Sequence, residues 1–264
     1  MINKITKEEE NRIAGQLLEQ CFQNPYLYID ATTFGFSGPN IDTWLVRSED
    51  KVEVVLYRYY DSLQICVLAD KVDGLQIAEF IREKGFKMVS GTESIIRQLS
   101  ELLPNYKDSY GVIMGGDIAR ETKNTAAQLA GPEECGEIAE LICSDTDIGG
   151  HYNVAQLQEQ LQDRMLHWNC VNVVVKEDGK IVAHAATYAD CPAFAILGGL
   201  ITHSDYRGKG YGGQVLEALT KCILEAKKKP LLYCYNPETI RWYRRNGWEI
   251  ICNCGKIEER KHSL

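Results

Sequence analysis

The chain has 264 residues, 45% apolar and 25% charged, with 29 basic against 37 acidic side chains for a formal charge of −8. This is globular composition with material for a sizeable core, and the length suggests two domains. Cutting after Ala130 leaves 14 basic and 19 acidic residues before the cut and 15 and 18 after it, so neither half is a basic module. Nothing marks a nucleic-acid binder or a broad anionic-membrane surface.

The first twenty residues are polar and charged apart from scattered Ile and Leu, and the longest apolar run, Ala193 to Ile201, is too short to cross a bilayer, which takes about 20 helical residues. A cytoplasmic protein is expected. Ten cysteines scattered over this length without a secretion signal read as reduced, mostly buried thiols. Cys252 and Cys254 would share a face of a strand, but no second pair or His completes a metal-ligand set, so no metal is expected.

In chain order, residues 53–57 and 64–68 are short β-rich runs joined by a turn at Tyr60 to Ser62. After Asp73-Gly74, Leu75, Ile77, Ala78, Phe80 and Ile81 predict a helix closed by Gly85. Phe86 to Val89 reads as a strand. From Thr92, the positions Ile95, Ile96, Leu99, Leu102 and Leu103 predict an amphipathic helix that stops before Pro104. Gly111, Gly115 and Gly116 read as turn residues, and no catalytic constellation is visible in this half.

From about Asn124 the pattern carries more. Thr125 to Ala130 is a weak strand, Pro132 opens an acidic helix to Cys143, and Val154 to Leu166 is a helix with Leu157, Leu161 and Leu166 facing inward. Gly149, Gly150, His151 and Tyr152 suggest a mobile loop. Val171 to Val175 and Ile181 to Thr187 flank Glu177-Asp178-Gly179, a hairpin signal. Ala193 to Thr202 supplies a third strand with Gly198-Gly199 in its middle, which points to a bulge or a close approach by a ligand.

Tyr206-Arg207-Gly208-Lys209-Gly210-Tyr211-Gly212-Gly213 follows, then a helix whose Val215, Leu216, Leu219, Cys222 and Ile223 form one apolar face. A glycine-rich turn between strand and helix leaves backbone N–H groups unpaired where the helix dipole is positive, so its natural ligand is a pyrophosphate. A nucleoside-triphosphate loop would need Lys-Ser or Lys-Thr after its last glycine, where Gln214 stands. The dinucleotide spacing is met by Gly208, Gly210 and Gly213, but this loop does not open a β-α-β repeat with an acidic ribose ligand on the next strand.

Two stretches carry a family resemblance. Arg207, Gly210 and Gly212 match the pattern Arg/Gln, two residues, Gly, one residue, Gly/Ala; Leu231 to Tyr235, Asn236, Thr239, Trp242, Tyr243 and Gly247-Trp248 match a strand, an Asn, a short helix with Tyr and a Gly-aromatic turn. In this order they resemble the acetyl-CoA-binding core of the Gcn5-related N-acetyltransferases (GNAT), within the FR47-like branch whose members are similar to glycine N-acyltransferases. The resemblance covers residues 124–264.

It implies an α/β fold with a mixed, mostly antiparallel splayed sheet in a catalytic domain at 124–264. Residues 1–123 would then form an α/β domain, a divergent and non-catalytic copy of the same fold that closes the acceptor cleft or forms a homodimer. For acetyl-CoA as co-substrate it implies pyrophosphate on the backbone of Arg207, Gly208, Lys209, Gly210, Tyr211, Gly212 and Gly213, and pantetheine on Leu200, Ile201 and Thr202. Asn236 would touch the cofactor arm, and Tyr243 would be the general acid that protonates the departing thiolate. The expected reaction is direct attack by a primary amine of a small molecule or amino acid; acetylation of a protein N-terminus or lysine, and a non-catalytic CoA-binding sensor or scaffold, are the alternatives. His184, Tyr188, His203 and Asp205 are candidates for a general base, which stays unassigned. Lys227 to Lys229, Arg244 and Arg245 read as solvated cations.

Overall fold

A computed structural model describes residues 1–49, 51–116, 125–146, 148–150, 152–168 and 170–260. In chain order the elements are β1 (Ile2–Lys4), α1 (Glu10–Glu19), α2 (Pro25–Phe34), β2 (Ile41–Ser48), β3 (Lys51–Tyr59), β4 (Ser62–Val67), α3 (Gly74–Lys84), β5 (Met88–Thr92), α4 (Glu93–Leu102) and β6 (Tyr106–Gly116). There follow β7 (Ala127–Leu129), α5 (Cys135–Cys143), α6 (Val154–His167), β8 (Asn172–Glu177), β9 (Lys180–Asp190), β10 (Phe194–Thr202), α7 (Tyr211–Glu225), β11 (Lys229–Cys234), α8 (Pro237–Arg245) and β12 (Trp248–Glu259). The chain resolves into two compact units, Met1–Met114 with Cys234–Arg241 and Ile250–Leu264, and Gly115–Tyr233 with Trp242–Glu249. The domain boundary expected between residues 123 and 124, and Asn124 itself, lie outside the described residues.

The first unit orders its strands β1-β2-β3-β4-β5-β12-β6, with β4 and β5 parallel and β1 to β4 antiparallel in succession. The middle stretches of β2, β3 and β4 are buried on both faces, which is why Val54 to Tyr57 is a continuous apolar run. Trp44, Val46, Val54 and Leu56 pack with Ile77 and Ile81 of α3 and Ile95 and Leu99 of α4. Leu45, Val55 and Tyr57, one residue out of phase, pack with Ile13 and Leu17 of α1 and Leu27 of α2.

α3 begins at an Asp73 cap, whose carboxylate accepts from Leu75 N at 2.9 Å, and ends at Gly85, whose φ of +70° is the left-handed stop. Two expectations need correction here. The strand after α3 starts at Met88, and Phe86 is a core side chain instead. Gly111, Gly115 and Gly116 are strand residues of β6: a β-carbon on Gly111 would sit 2.5 Å from the Cys234 carbonyl, and one on Gly116 would sit 2.8 Å from the Trp248 ring. Close backbone approach, not a turn, requires glycine there.

The second unit orders its strands β7-β8-β9-β10-β11, antiparallel except for the parallel pair β10–β11. The β8–β9 hairpin turns on Asp178 and Gly179, both at positive φ, as the Asp-Gly signal predicts. α5 and α6 bury Ile138, Leu141, Leu157 and Leu161 with Val174, Ile181 and Ile201. Leu166 is 65% exposed and does not join them; the inward stripe of α6 ends at Leu161 and Met165. α7 buries Val215, Leu216, Leu219, Thr220 and Ile223; of the apolar face expected for it, Cys222 is only half-buried and Thr220 is buried in addition.

Candidate active site

The site begins with a fault in β10. Its register with β9 runs Leu197↔Thr187, Gly198↔Ala186 and then Ile201↔His184, so Gly199 and Leu200 together face the single residue Ala185. This is a bulge, and Gly199 takes a φ of +60°. A β-carbon on Gly198 would lie 2.7 Å from the Tyr188 ring, and one on Gly199 2.7 Å from the Tyr188 hydroxyl, so the paired glycines answer to the tyrosine beneath them. On the other edge, pairing of β10 with β11 ends at Leu197 and Leu232. From Gly198 onward the two strands part.

A cavity of about 200 Å³ opens at this parting, lined by Gly198, Gly199 and Leu200 of the bulge, Leu216 of α7, Tyr233 of β11 and Tyr243 of α8, with Ile148 from the loop before α6. Tyr243 is buried, its ring edge-on to Trp242 at 5.1 Å and tilted against Trp248 at 5.9 Å. It is thus both a wall of the cavity and a core aromatic. Ile201 and Thr202 pair with β9 and lie beyond the cavity lining.

Beyond β10 the chain makes the glycine-rich turn into α7. Gly208 and Gly210 have φ of +81° and +86°, and added β-carbons there would meet open space. No side chain caps α7. Among the described residues, the N–H groups of Gly208, Lys209, Gly210, Tyr211, Gly212 and Gly213 have no hydrogen-bond acceptor, whereas that of Arg207 donates to the Ser204 carbonyl at 3.3 Å. Six outward donors at a helix N-terminus suit an anion with several oxygens.

The side chains around this turn brace it. Arg207 pairs with Asp145 at 2.7 Å and donates through Nε to the Thr202 carbonyl at 3.2 Å. Lys209 lies over the Tyr206 ring, and Tyr211 donates to Glu177 of the hairpin, a bond that raises the phenol's pKa. Thr202 Oγ1 would be 3.1 Å from a β-carbon on Gly212, so strand and helix meet closely there. Asn236 Oδ1 accepts from the amides of Glu238 and Thr239, capping α8.

Of the four candidate bases, His184 is fully buried, with Nδ1 2.9 Å from the Gly199 carbonyl and Nε2 2.8 Å from the Asn172 carboxamide. Burial pushes its pKa down to about 4, against a smaller upward pull from the bond to Gly199, so the ring is neutral. Burial also raises the Tyr188 phenol, which the Arg164 guanidinium, 5.0 Å from its ring centroid, partly opposes. His203 Nδ1 accepts from the Asp205 amide, closing a short turn.

Gly149 and Gly150 are close-packed, since β-carbons would overlap the carbonyls of Ile142 and Thr146; His151 lies outside the described residues. Lys228 pairs with Asp190, while Arg244 and Arg245 are exposed. The ten cysteines are free thiols, and among the described residues no group of three or more His, Cys, Asp or Glu could hold a metal. No helix there is long and apolar enough to cross a membrane.

Sequence reasoning missed Asp145, Ile148 and Asn172. Only the spacing of Asp145 three residues before Ile148, whose amide it accepts, is a local signal.

Residues 168–250 match a family model described as Acetyltransferase (GNAT) domain. No curated protein matches the sequence. Among solved structures, a Drosophila protein superposes with a TM-score of 0.66 at 11% identity, covering 99% of each chain. A GCN5-related N-acetyltransferase from Kribbella flavida gives 0.61 at 16%, covering 97% of each. A tandem GNAT protein from the clavulanic acid biosynthesis pathway gives 0.57 at 13%, covering 100% of this chain and 99% of that one. At these identities the likeness is one of fold, and it runs the length of the chain.

Proposed function

We propose that this chain, a member of the GNAT acetyltransferase superfamily, transfers an acetyl group from acetyl-CoA to a primary amine of a small molecule or amino acid. The observation that carries this reading is the strand–turn–helix at residues 198–213: six backbone donors without an acceptor among the described residues stand at the start of α7, and the strand leading into them is bulged beside a cavity walled by Tyr243.

Each residue then has a physical task. The amides of Gly208 to Gly213, with the α7 dipole behind them, hold the pyrophosphate, and the glycines let its oxygens approach the backbone. The side chain of Arg207, engaged by Asp145 and Thr202, keeps the turn in shape and contributes little charge to the ligand. Along β10, the backbone from Leu200 to Thr202 takes the pantetheine amides on the edge that has left β11. Asn236 acts by starting α8 and so setting where Tyr243 falls.

Acetyl-CoA supplies the activated carbonyl. Backbone N–H groups at the bulge stabilise the oxyanion as the neutral amine attacks, and Tyr243 gives its proton to the thiolate as the C–S bond breaks. A protonated amine must first lose a proton, and neutral His184, with both nitrogens engaged, is not the acceptor of it.

Mass spectrometry of the co-purified thioester, followed by CoA release against a panel of amines, tests the reading. Acetyl-CoA on the purified protein and release dependent on one class of small amine are expected. Tight binding with release at background for every small amine, peptide N-terminus and lysine would replace the enzyme with a sensor.

A further inference from the structure

The buried pair His184 and Asn172 takes no part in the chemistry above, yet it meets the site at one atom, the Gly199 carbonyl oxygen. That carbonyl can only accept, so the proton of the neutral imidazole is on Nδ1. Nε2 then offers a lone pair, and the buried Asn172 carboxamide, whose Oδ1 stands 2.8 Å away, satisfies it by a half-turn about its Cβ–Cγ bond that brings the NH2 group to the ring. The pair is a relay of donors ending on the bulge.

A trans peptide sets its C=O and N–H antiparallel. With the Gly199 oxygen held by His184, the N–H of Leu200 across the same peptide is aimed away from the imidazole, and both residues line the cavity. Leu200 has no partner in the β9 register. A peptide unit following a glycine at φ +60° has an easy alternative, a half-turn that would swing the carbonyl toward the cavity and the donor away from it. An imidazole N–H at 2.9 Å opposes that turn.

We propose that His184, oriented by Asn172, is a positioning residue of the acyl-transfer site: it locks the Gly199–Leu200 peptide so that the Leu200 N–H is the donor to the thioester carbonyl. This rests on the acyl-transfer reading, and the tests separate the two.

The variants His184→Phe, which keeps a ring without a donor, and His184→Gln, which restores one, are compared with wild type by kinetics, by calorimetry with acetyl-CoA, and by the infrared stretch of bound acetyl-CoA isotope-labelled at its carbonyl. His184→Phe should lower kcat by about 10²-fold, with acetyl-CoA affinity changed less than about threefold, because the lost donor acts on developing charge. The wild-type downshift of the carbonyl stretch should vanish in His184→Phe and return in part in His184→Gln. Wild type that binds acetyl-CoA, with stretch and kcat unchanged in His184→Phe, overturns the positioning role alone; wild type that binds no acetyl-CoA overturns the reading of the site and this role with it. Nitrogen NMR of wild-type His184, which needs no variant to fold, should show the proton on Nδ1, and a proton on Nε2 alone overturns the proposal.

Discussion

Each unit contains a parallel β-α-β crossover, β4–α3–β5 in the first and β10–α7–β11 in the second, and the two treat their polar groups in opposite ways. β4 pairs with β3 without a register break from Ser62 to Val67, whereas β10 breaks its register at Gly198. α3 closes its own N-terminus: the Asp73 carboxylate accepts from Leu75 N, and the amide of Gly74 donates to Gln98. α7 starts from Gly210 with no side-chain cap and with six amides that have no acceptor among the described residues. The helix after the second strand buries Ile95, Ile96 and Leu99 in α4, but Tyr243 in α8. One crossover satisfies its own polar groups; the other leaves anion donors, a bulge and a phenol, which on the proposed reading a ligand uses.

The largest expected break in this contrast is at Tyr243. Tyr243→Phe should lower kcat by about 10²-fold or more with little change in acetyl-CoA affinity, measured by CoA release and calorimetry. Undiminished turnover would remove the phenol from the mechanism.

The units also differ in how protons should affect them. In the first, burial raises the pKa of Asp30 to about 6, against a lowering by Gln64, which donates to it at 2.6 Å. The folded state therefore holds a proton that the unfolded chain releases near 3.8, so Asp30 costs stability as pH rises from about 4 to about 6. His184 in the second unit runs the other way: the unfolded ring protonates near 6.5 and the folded one only near 4, so stability present above 6.5 is lost as pH falls through that window. Each effect is on the order of 3 kcal/mol. Urea midpoints across the window should show Asp30→Asn gaining on wild type as pH rises, and His184→Phe gaining on it as pH falls. Parallel profiles would refute these assignments.

Grafting one helix start onto the other sharpens the comparison further. Gly210→Asp gives α7 a carboxylate where α3 has Asp73, and should weaken acetyl-CoA binding by about tenfold or more, through competition for the same amides together with the strain of an L side chain at a φ of +86°. The smallest effect is the reverse change: Asp73→Ala should cost about 1 kcal/mol of stability, read in urea, and leave acetyl-CoA affinity untouched.

Much of this contrast is legible in the sequence wherever a residue speaks through its own backbone. Gly85 ends α3, Asp178-Gly179 turns the hairpin, and Gly208 to Gly213 open α7, because positive φ or a missing β-carbon is a local demand. Gly111 and Gly116 misled for the same reason: glycine required by a distant carbonyl or indole looks identical in sequence to glycine required by a turn. Leu166 fits the helical period but is exposed, beyond Leu161 and Met165, the last α6 side chains that join the core. The ties of Arg207 to Asp145, 62 residues apart, and of His184 to Asn172 and Gly199 arise from strand register and loop course, which no local pattern encodes. α1 and α2 were not foreseen. In α2, apolar residues surround the helix without a clear stripe, as Pro25, Leu27, Ile29 and Ala31 are all buried.

The central claim is that the turn before α7 is an anion nest for acetyl-CoA. Its most direct test is a titration of isotope-labelled wild-type protein with acetyl-CoA, followed through the backbone amide resonances of Gly208, Gly210, Gly212 and Gly213. The account predicts saturable shifts concentrated on these amides, with those of Gly74 and Leu75 at the start of α3 unmoved. Resonances at the α7 turn that stay in place while acetyl-CoA binds elsewhere, or fails to bind, would contradict it.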